Sequence, residues 1–195
     1  MIKKNLIMAL VLLGTCLAPA QSSKNHSLKV QLDPARTEIH WKVRAGLRTM
    51  HGDLKLKNGE FLVNPATGVA EGEILVDATT GQTSDARDKQ MQDAVLENNR
   101  YPGMIFHPAT FKGGFPAGEG SHDVVADGSF NIHGEDHPLQ MPLKVQLSSS
   151  EIVATTRFTI PYTAWGMKYP GTFFHRVGKQ VEVQITARGS IQQVE

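Results

Sequence analysis

The chain has 195 residues, 40% of them hydrophobic and 7% aromatic, with 20 lysines and arginines against 19 acidic residues. So balanced a charge offers nothing to hold nucleic acid, and the length fits one domain able to bury a core and still enclose a cavity. The only cysteine is Cys16, which excludes a disulfide framework.

At the start, Lys3 and Lys4 precede an apolar run from Leu6 to Leu17 that closes in Ala18-Pro19-Ala20. This is the pattern of a secretory leader cut before Gln21. The run holds about a dozen residues, short of the roughly 20 that a spanning helix needs. The expected layout is a signal peptide over 1–20 and a single domain over 21–195, in a periplasmic or secreted protein without a membrane-spanning helix. An alternative takes Leu13-Gly14-Thr15-Cys16 as a lipoprotein box that leaves a lipidated Cys16. Threonine before the cysteine fits that box poorly.

Beyond the leader, almost every apolar stretch alternates with a period of two, the mark of half-buried strands. Ile39, Trp41 and Val43 share a face against Glu38, His40 and Lys42. Ala70, Gly72, Ile74 and Val76 repeat the pattern, as do Gly128, Phe130 and Ile132. It is cleanest in Leu139, Met141, Leu143, Val145 and Leu147, then in Ile152, Ala154, Thr156, Phe158 and Ile160, and last in Val181, Val183, Ile185 and Ala187. Turns are expected at Lys57-Asn58-Gly59, at Asn64 to Gly68, at Gly113 to Gly120 and at His133-Gly134-Glu135-Asp136. Short connections between alternating strands imply antiparallel neighbours.

Only the stretch 84–98 breaks the period of two. Ala86, Met91, Ala94 and Val95 lie among polar residues, with Ser84 and Asp85 as caps, so a short helix is expected there. Tyr101-Pro102-Gly103 stops it. Such a helix is too short to stand alone and is expected to lie across the sheet. Eight or more strands bury one apolar face either as a sandwich or as a closed barrel. Composition does not choose between them.

Several segments resemble the YceI-like family of secreted, lipocalin-shaped proteins. They are Leu32-Asp33-Pro34-Ala35-Arg36-Thr37-Glu38-Ile39-His40-Trp41, Ser84 to Met91, Asn99-Arg100-Tyr101-Pro102-Gly103-Met104-Ile105-Phe106, Asp127 to Gly134, and His137-Pro138-Leu139. Their order and spacing carry the resemblance, which spans Leu32 to Ile191. It implies an all-β, antiparallel, lipocalin-like barrel of about eight or more strands with a short helix inserted near residues 84–98. It also implies a family role in binding long isoprenoid or lipid-like molecules, with no catalytic residue. Two positions depart from the family pattern: Arg44-Ala45 after the first motif, and His51-Gly52-Asp53-Leu54 in place of a glycine-arginine-phenylalanine opening.

The expected cavity residues are Ile39, Trp41, Val43, Ile74, Phe106, Phe130, Met141, Phe158, Trp165 and Phe173, with Arg87 and Arg176 as candidates for a polar head group. Small residues such as Gly72, Gly128 and Ala154 beside large rings leave volume for a ligand, or simply pack a solid core. The aromatic loop from Trp165 to Arg176 lines a barrel mouth or only covers its end. Arg87 contacts a head group, or pairs with its neighbours Asp85 and Asp88 on the surface.

His133-x-x-x-His137 has ligand spacing for a helix, but Gly134 and Pro138 place it in a turn, so no metal site is assigned. No Gly-x-Ser-x-Gly elbow or mature cysteine supplies a nucleophile. The leading expectation is therefore a carrier, not an enzyme, whose partner is an apolar small molecule and whose only cofactor would be a bound isoprenoid or lipid. Against it stand a structural or stress-related envelope barrel with a packed core, and a metal- or haem-linked accessory using histidines. A homodimer stays open.

Overall fold

The structure is a computed structural model that describes residues 27–83, 85–171 and 176–194, without the side chains of Arg87, Asp88 and Met91. The expected leader, Cys16 and Ser84 lie outside the described residues.

In chain order the elements are β1 (Ser27–Leu32), β2 (Glu38–Ala45), β3 (Arg48–Val63), β4 (Ala70–Thr83), α1 (Ala86–Leu96), β5 (Gly103–Lys112), β6 (Gly120–Ile132), β7 (Glu135–Leu147), β8 (Glu151–Ile160) and β9 (Val181–Val194). All strand pairings are antiparallel, and the sheet runs β3-β2-β9-β8-β7-β6-β5-β4 before β4 pairs back to β3. The sheet is thus a closed barrel, which resolves the choice between sandwich and barrel left open by composition.

Nine strands fill eight positions. β1 and β2 lie end to end between β3 and β9: Leu32 is opposite Gly189 and Glu38 opposite Thr186. The intervening residues 33–37 loop out from the wall. They are held there by the Asp33 N–H donating to the Arg188 carbonyl (2.7 Å), and by Arg36 pairing with Asp33 (2.8 Å) and Glu151 (3.2 Å). The first family-like motif is this break in the wall.

The turn expected at Lys57-Asn58-Gly59 is not a turn. These residues lie inside the 16-residue β3, where the register against β4 shifts between Leu56 and Asn58. The extra residue is a β-bulge, and it moves the inward set from Met50, Gly52, Leu54 and Leu56 to Gly59, Phe61 and Val63. At the later turn only His133 and Gly134 turn the chain, both with positive φ (57° and 80°) as a two-residue hairpin requires. Glu135 and Asp136 already pair with Ile132 and Asn131.

The wall is only partly laced in places, at β4–β5, where four residues pair, and at β7–β8. β7 pairs with β6 along its whole length, but with β8 only from Leu143↔Thr156 to Leu147↔Ile152. Thr156 Oγ1 donates to the Pro142 carbonyl (2.6 Å), so the edge of Pro142 faces β8. Pro138, an even number of residues away, faces the same way, and neither proline has an N–H to give. The ladder to β8 stops next to Pro142, which has no N–H to give.

Candidate functional site

The inward faces of the strands enclose two cavities, stacked along the barrel axis. The first, about 110 Å³, lies under α1 and is lined by Trp41, Val43, Met50, Leu54, Met104, Ile132, Ile160, Val183 and their neighbours. The second, about 120 Å³, lies at the far end, among Ile39, Leu56, Phe106, Phe130, Phe158 and Ile185. On β2, β3, β5, β6, β8 and β9 the two linings are separated by one step of the strand period, Trp41 to Ile39 or Met104 to Phe106, so they are successive layers of one interior.

Each end is closed. At the far end Phe61, Phe111 and Phe115 form a ring cluster, Phe111 and Phe115 meeting edge to face at 4.8 Å. At the other end α1 contributes Gln92, Val95 and Leu96, and the segment after β8 contributes Tyr162, Met167 and Pro170. The C-terminal turn of α1 is tied to the β6–β7 hairpin: Glu97 pairs with His133, and the Tyr101 ring lies 4.3 Å from that histidine. Two of the family-like motifs, around Tyr101 and around His133, therefore touch each other and fix the helix over the barrel.

Eight expected cavity residues line the interior, Trp41 and Val43 in the α1-end cavity and Ile39, Ile74, Phe106, Phe130, Met141 and Phe158 in the far one. Trp165 does not. Its ring stacks on His137 (4.4 Å, 4°) and lies 6.2 Å from Phe130, covering the barrel from the end of β8. Arg176 is exposed and belongs to neither lining, although its neighbour Val177 lines the α1-end cavity; its backbone carbonyl accepts the Gly46 N–H at the β2–β3 turn (2.8 Å). Phe173 and the Arg87 side chain lie outside the described residues. Gly128 leaves no free volume, because a Cβ there would sit 2.7 Å from Phe106 Cζ; the ring already occupies the space.

Sequence reasoning missed Met50, Leu54, Met104, Tyr162, Met167 and Gln92. The first two lay in an unread strand, and Gln92 carried no signal, since a glutamine on a polar helix reads as surface.

The polar groups of the two linings differ in kind. In the far cavity Thr156 donates to Pro142 O, and Thr37 Oγ1 accepts the Arg188 N–H (3.3 Å). In the α1-end cavity the Tyr162 hydroxyl, pushed up from its ordinary pKa by burial and so held protonated, donates to Gly178 O (2.8 Å). Trp41 Nε1 and both polar atoms of Gln92 are buried there without a partner. Among the described residues no three histidine, cysteine or acidic side chains gather to hold a metal. His133 is engaged with Glu97, and His137 with Trp165.

The profile of the YceI-like domain matches residues 30–188. The chain belongs to the YceI-like family. Solved structures resemble this YceI-like barrel at low identity. A polyisoprenoid binding domain from Saccharophagus degradans, implicated in plant cell wall breakdown, is 13% identical with a TM-score of 0.61, over 84% of this chain and 98% of its own. BcnA of Burkholderia cenocepacia is 15% identical with a TM-score of 0.61, over 80% and 98%. A Campylobacter jejuni YCEI protein is 12% identical with a TM-score of 0.50, over 97% and 98%. At these identities the likeness is one of fold. No curated protein matches the chain significantly. Among the described residues no helix is long and apolar enough to cross a membrane.

Proposed function

We propose that this YceI-like protein is a periplasmic or secreted carrier that holds a long isoprenoid or lipid-like molecule inside its barrel and catalyses no reaction. The observation that carries this reading is the double cavity, because apolar side chains stacked in two layers along a closed barrel are what an elongated apolar guest requires. The polyisoprenoid binding named for the Saccharophagus degradans relative supports the ligand class. Residues 1–20 act in this reading as the leader, removed before Gln21.

The test is native mass spectrometry of the protein isolated from its own envelope fraction, with organic extraction of whatever it releases. A stoichiometric long-chain apolar compound on a chain beginning at Gln21 is the expected result. A protein that arrives empty and ignores added isoprenoids would mean a packed structural barrel.

A further inference from the structure

Among the described residues the large apolar side chains left exposed are Leu47 and Tyr169 at the α1 end of the barrel, and Leu62 and Val69 at the far end. The far pair keeps acidic company: Leu62 lies across from Glu71, next to the facing Glu60 and Glu73, and Lys29 pairs with Glu60 (3.0 Å). The α1-end pair has the opposite surroundings. Residues 44–50 and 161–180 hold Arg44, Arg48, Lys168, Arg176 and Lys179 and no aspartate or glutamate, in a chain whose formal net charge is only +1. All five of these cations are exposed.

The two segments form one projection. The Gly46 N–H donates to the Arg176 carbonyl (2.8 Å), the Gly178 N–H donates to the Arg44 carbonyl (2.7 Å), and Ala45 bridges to Val177. Tyr169 joins them, its hydroxyl accepting the Val177 N–H (3.1 Å). The hairpin of β2 and β3 continues past the last pairing of β3 with β4, Gly52↔Thr83, so its turn projects beyond the neighbouring strand. Leu47 occupies that turn and is fully exposed. Turns favour glycine, asparagine, aspartate and serine for conformational reasons, and a leucine there gains nothing from the fold.

This rim borders the interior. Val43, Met167, Pro170 and Val177 line the α1-end cavity, and the exposed Arg44, Lys168, Tyr169 and Arg176 are their neighbours in the chain. Asp93 of α1 and Glu97 just after it are committed to Lys89 and His133. We propose that the rim docks on a bilayer of anionic phospholipids. Leu47 enters the interface, Tyr169 lies at head-group level, and Arg44, Lys168, Arg176 and Lys179 meet the phosphates. Docking brings the α1-end cavity, with the segment that covers it, against the membrane. The proposal rests on the carrier reading for its purpose, since the reservoir of a long apolar guest is a bilayer and not water.

The test is flotation of the protein, isolated from its envelope fraction, with vesicles of phosphatidylcholine alone or of phosphatidylcholine with an equal part of phosphatidylglycerol. Binding to the anionic vesicles is expected to be at least about ten-fold stronger, and about 1 M salt should abolish the difference by shortening the screening length to about 3 Å. Leu47→Asp should weaken binding to anionic vesicles roughly ten-fold. Lys168→Ala, Arg176→Ala and Lys179→Ala together should weaken it roughly ten- to a hundred-fold, near five-fold per cation, whereas Leu62→Asp at the far end should change nothing. Equal binding to both vesicles, or to neither, would overturn the proposal. So would wild-type binding by the variants, because the contact would then lie elsewhere in the chain. The Leu47 variant and the cation variant test the rim independently, so one decides if the other fails to fold. Failure of the carrier reading is distinguishable: a protein that ignores vesicles yet releases a long-chain compound on extraction loses only the docking, and one that docks but stays empty loses only the carrier.

Discussion

The unpaired amide of Gln92 has a cost that can be measured in the empty protein. Neither Oε1 nor Nε2 has a partner, and the side chain is buried. A buried group left unsatisfied costs about 1–3 kcal/mol. Methionine has nearly the same length, a similar helix propensity and a flexible thioether suited to irregular apolar space. In Gln92→Met its terminal methyl would take the slot over Gly81 that the amide now fills, beside Val95, Leu96 and Met104. Removing the penalty without opening a void should raise stability by about 1–2 kcal/mol. For a domain of this size that is roughly 2–8 °C in Tm. Calorimetry and urea unfolding of ligand-free protein give the two numbers, and an unchanged m-value shows that only stability moved. A fall in Tm would refute the reasoning, because it would mean that the amide is satisfied in the free protein.

Other outcomes follow from the packing. Ala154→Phe, on the inward face of β8 in the far cavity of about 120 Å³, should still fold, at a cost of about 1–3 kcal/mol for the added ring. It should lose at least about tenfold in binding of long-chain guests, read by extraction and mass analysis. Gly128→Ala would place its Cβ 2.3 Å from the His107 carbonyl and 2.7 Å from Phe106 Cζ. It should cost about 2–3 kcal/mol, seen as a lower urea midpoint. In acid, hydrogen bonds from Arg36, Thr79 and Gln140 hold the carboxyls of Asp33, Asp77 and Asp127 below their ordinary value of 3.8. Their stabilisation is present above that value and lost as pH falls through the lowered ones, so the urea midpoint should start to drop only below about pH 4.

What the sequence revealed depended on whether a strand kept its parity. β2, β7, β8 and β9 alternate without interruption, so the inward placement of Trp41, Met141 and Phe158 could be read directly. β3 could not, because the bulge at Lys57-Asn58 moves its apolar residues from even to odd positions. A change of parity around Asn-Gly looks the same as a turn between two strands. Met50 and Leu54 of the α1-end lining went unread with it. Trp165 was misplaced for another reason. Aromatic and basic residues in a loop have no period to orient them, and only the contact with His137 shows that Trp165 covers the wall.

The two cavities also constrain how any long guest is accommodated. Each is smaller than the roughly 150 Å³ engineered cavity that takes one benzene, so a chain of several isoprene units requires the layer between them to yield. That layer contains Phe106 and Phe130, paired across β5 and β6, with Phe158 on β8. The means of yielding are at hand on both sides of it. Met50, Met104 and Met167 surround the α1-end cavity and Met141 borders the far one, and unbranched side chains change rotamer at little cost. Phe158 also lies on the strand whose bonds to β7 stop at Thr156, so its backbone can shift without breaking a ladder on that side. Rigid branched residues would leave that layer little freedom, whereas methionines beside both cavities and a β7–β8 ladder that stops at Thr156 let it rearrange around a guest.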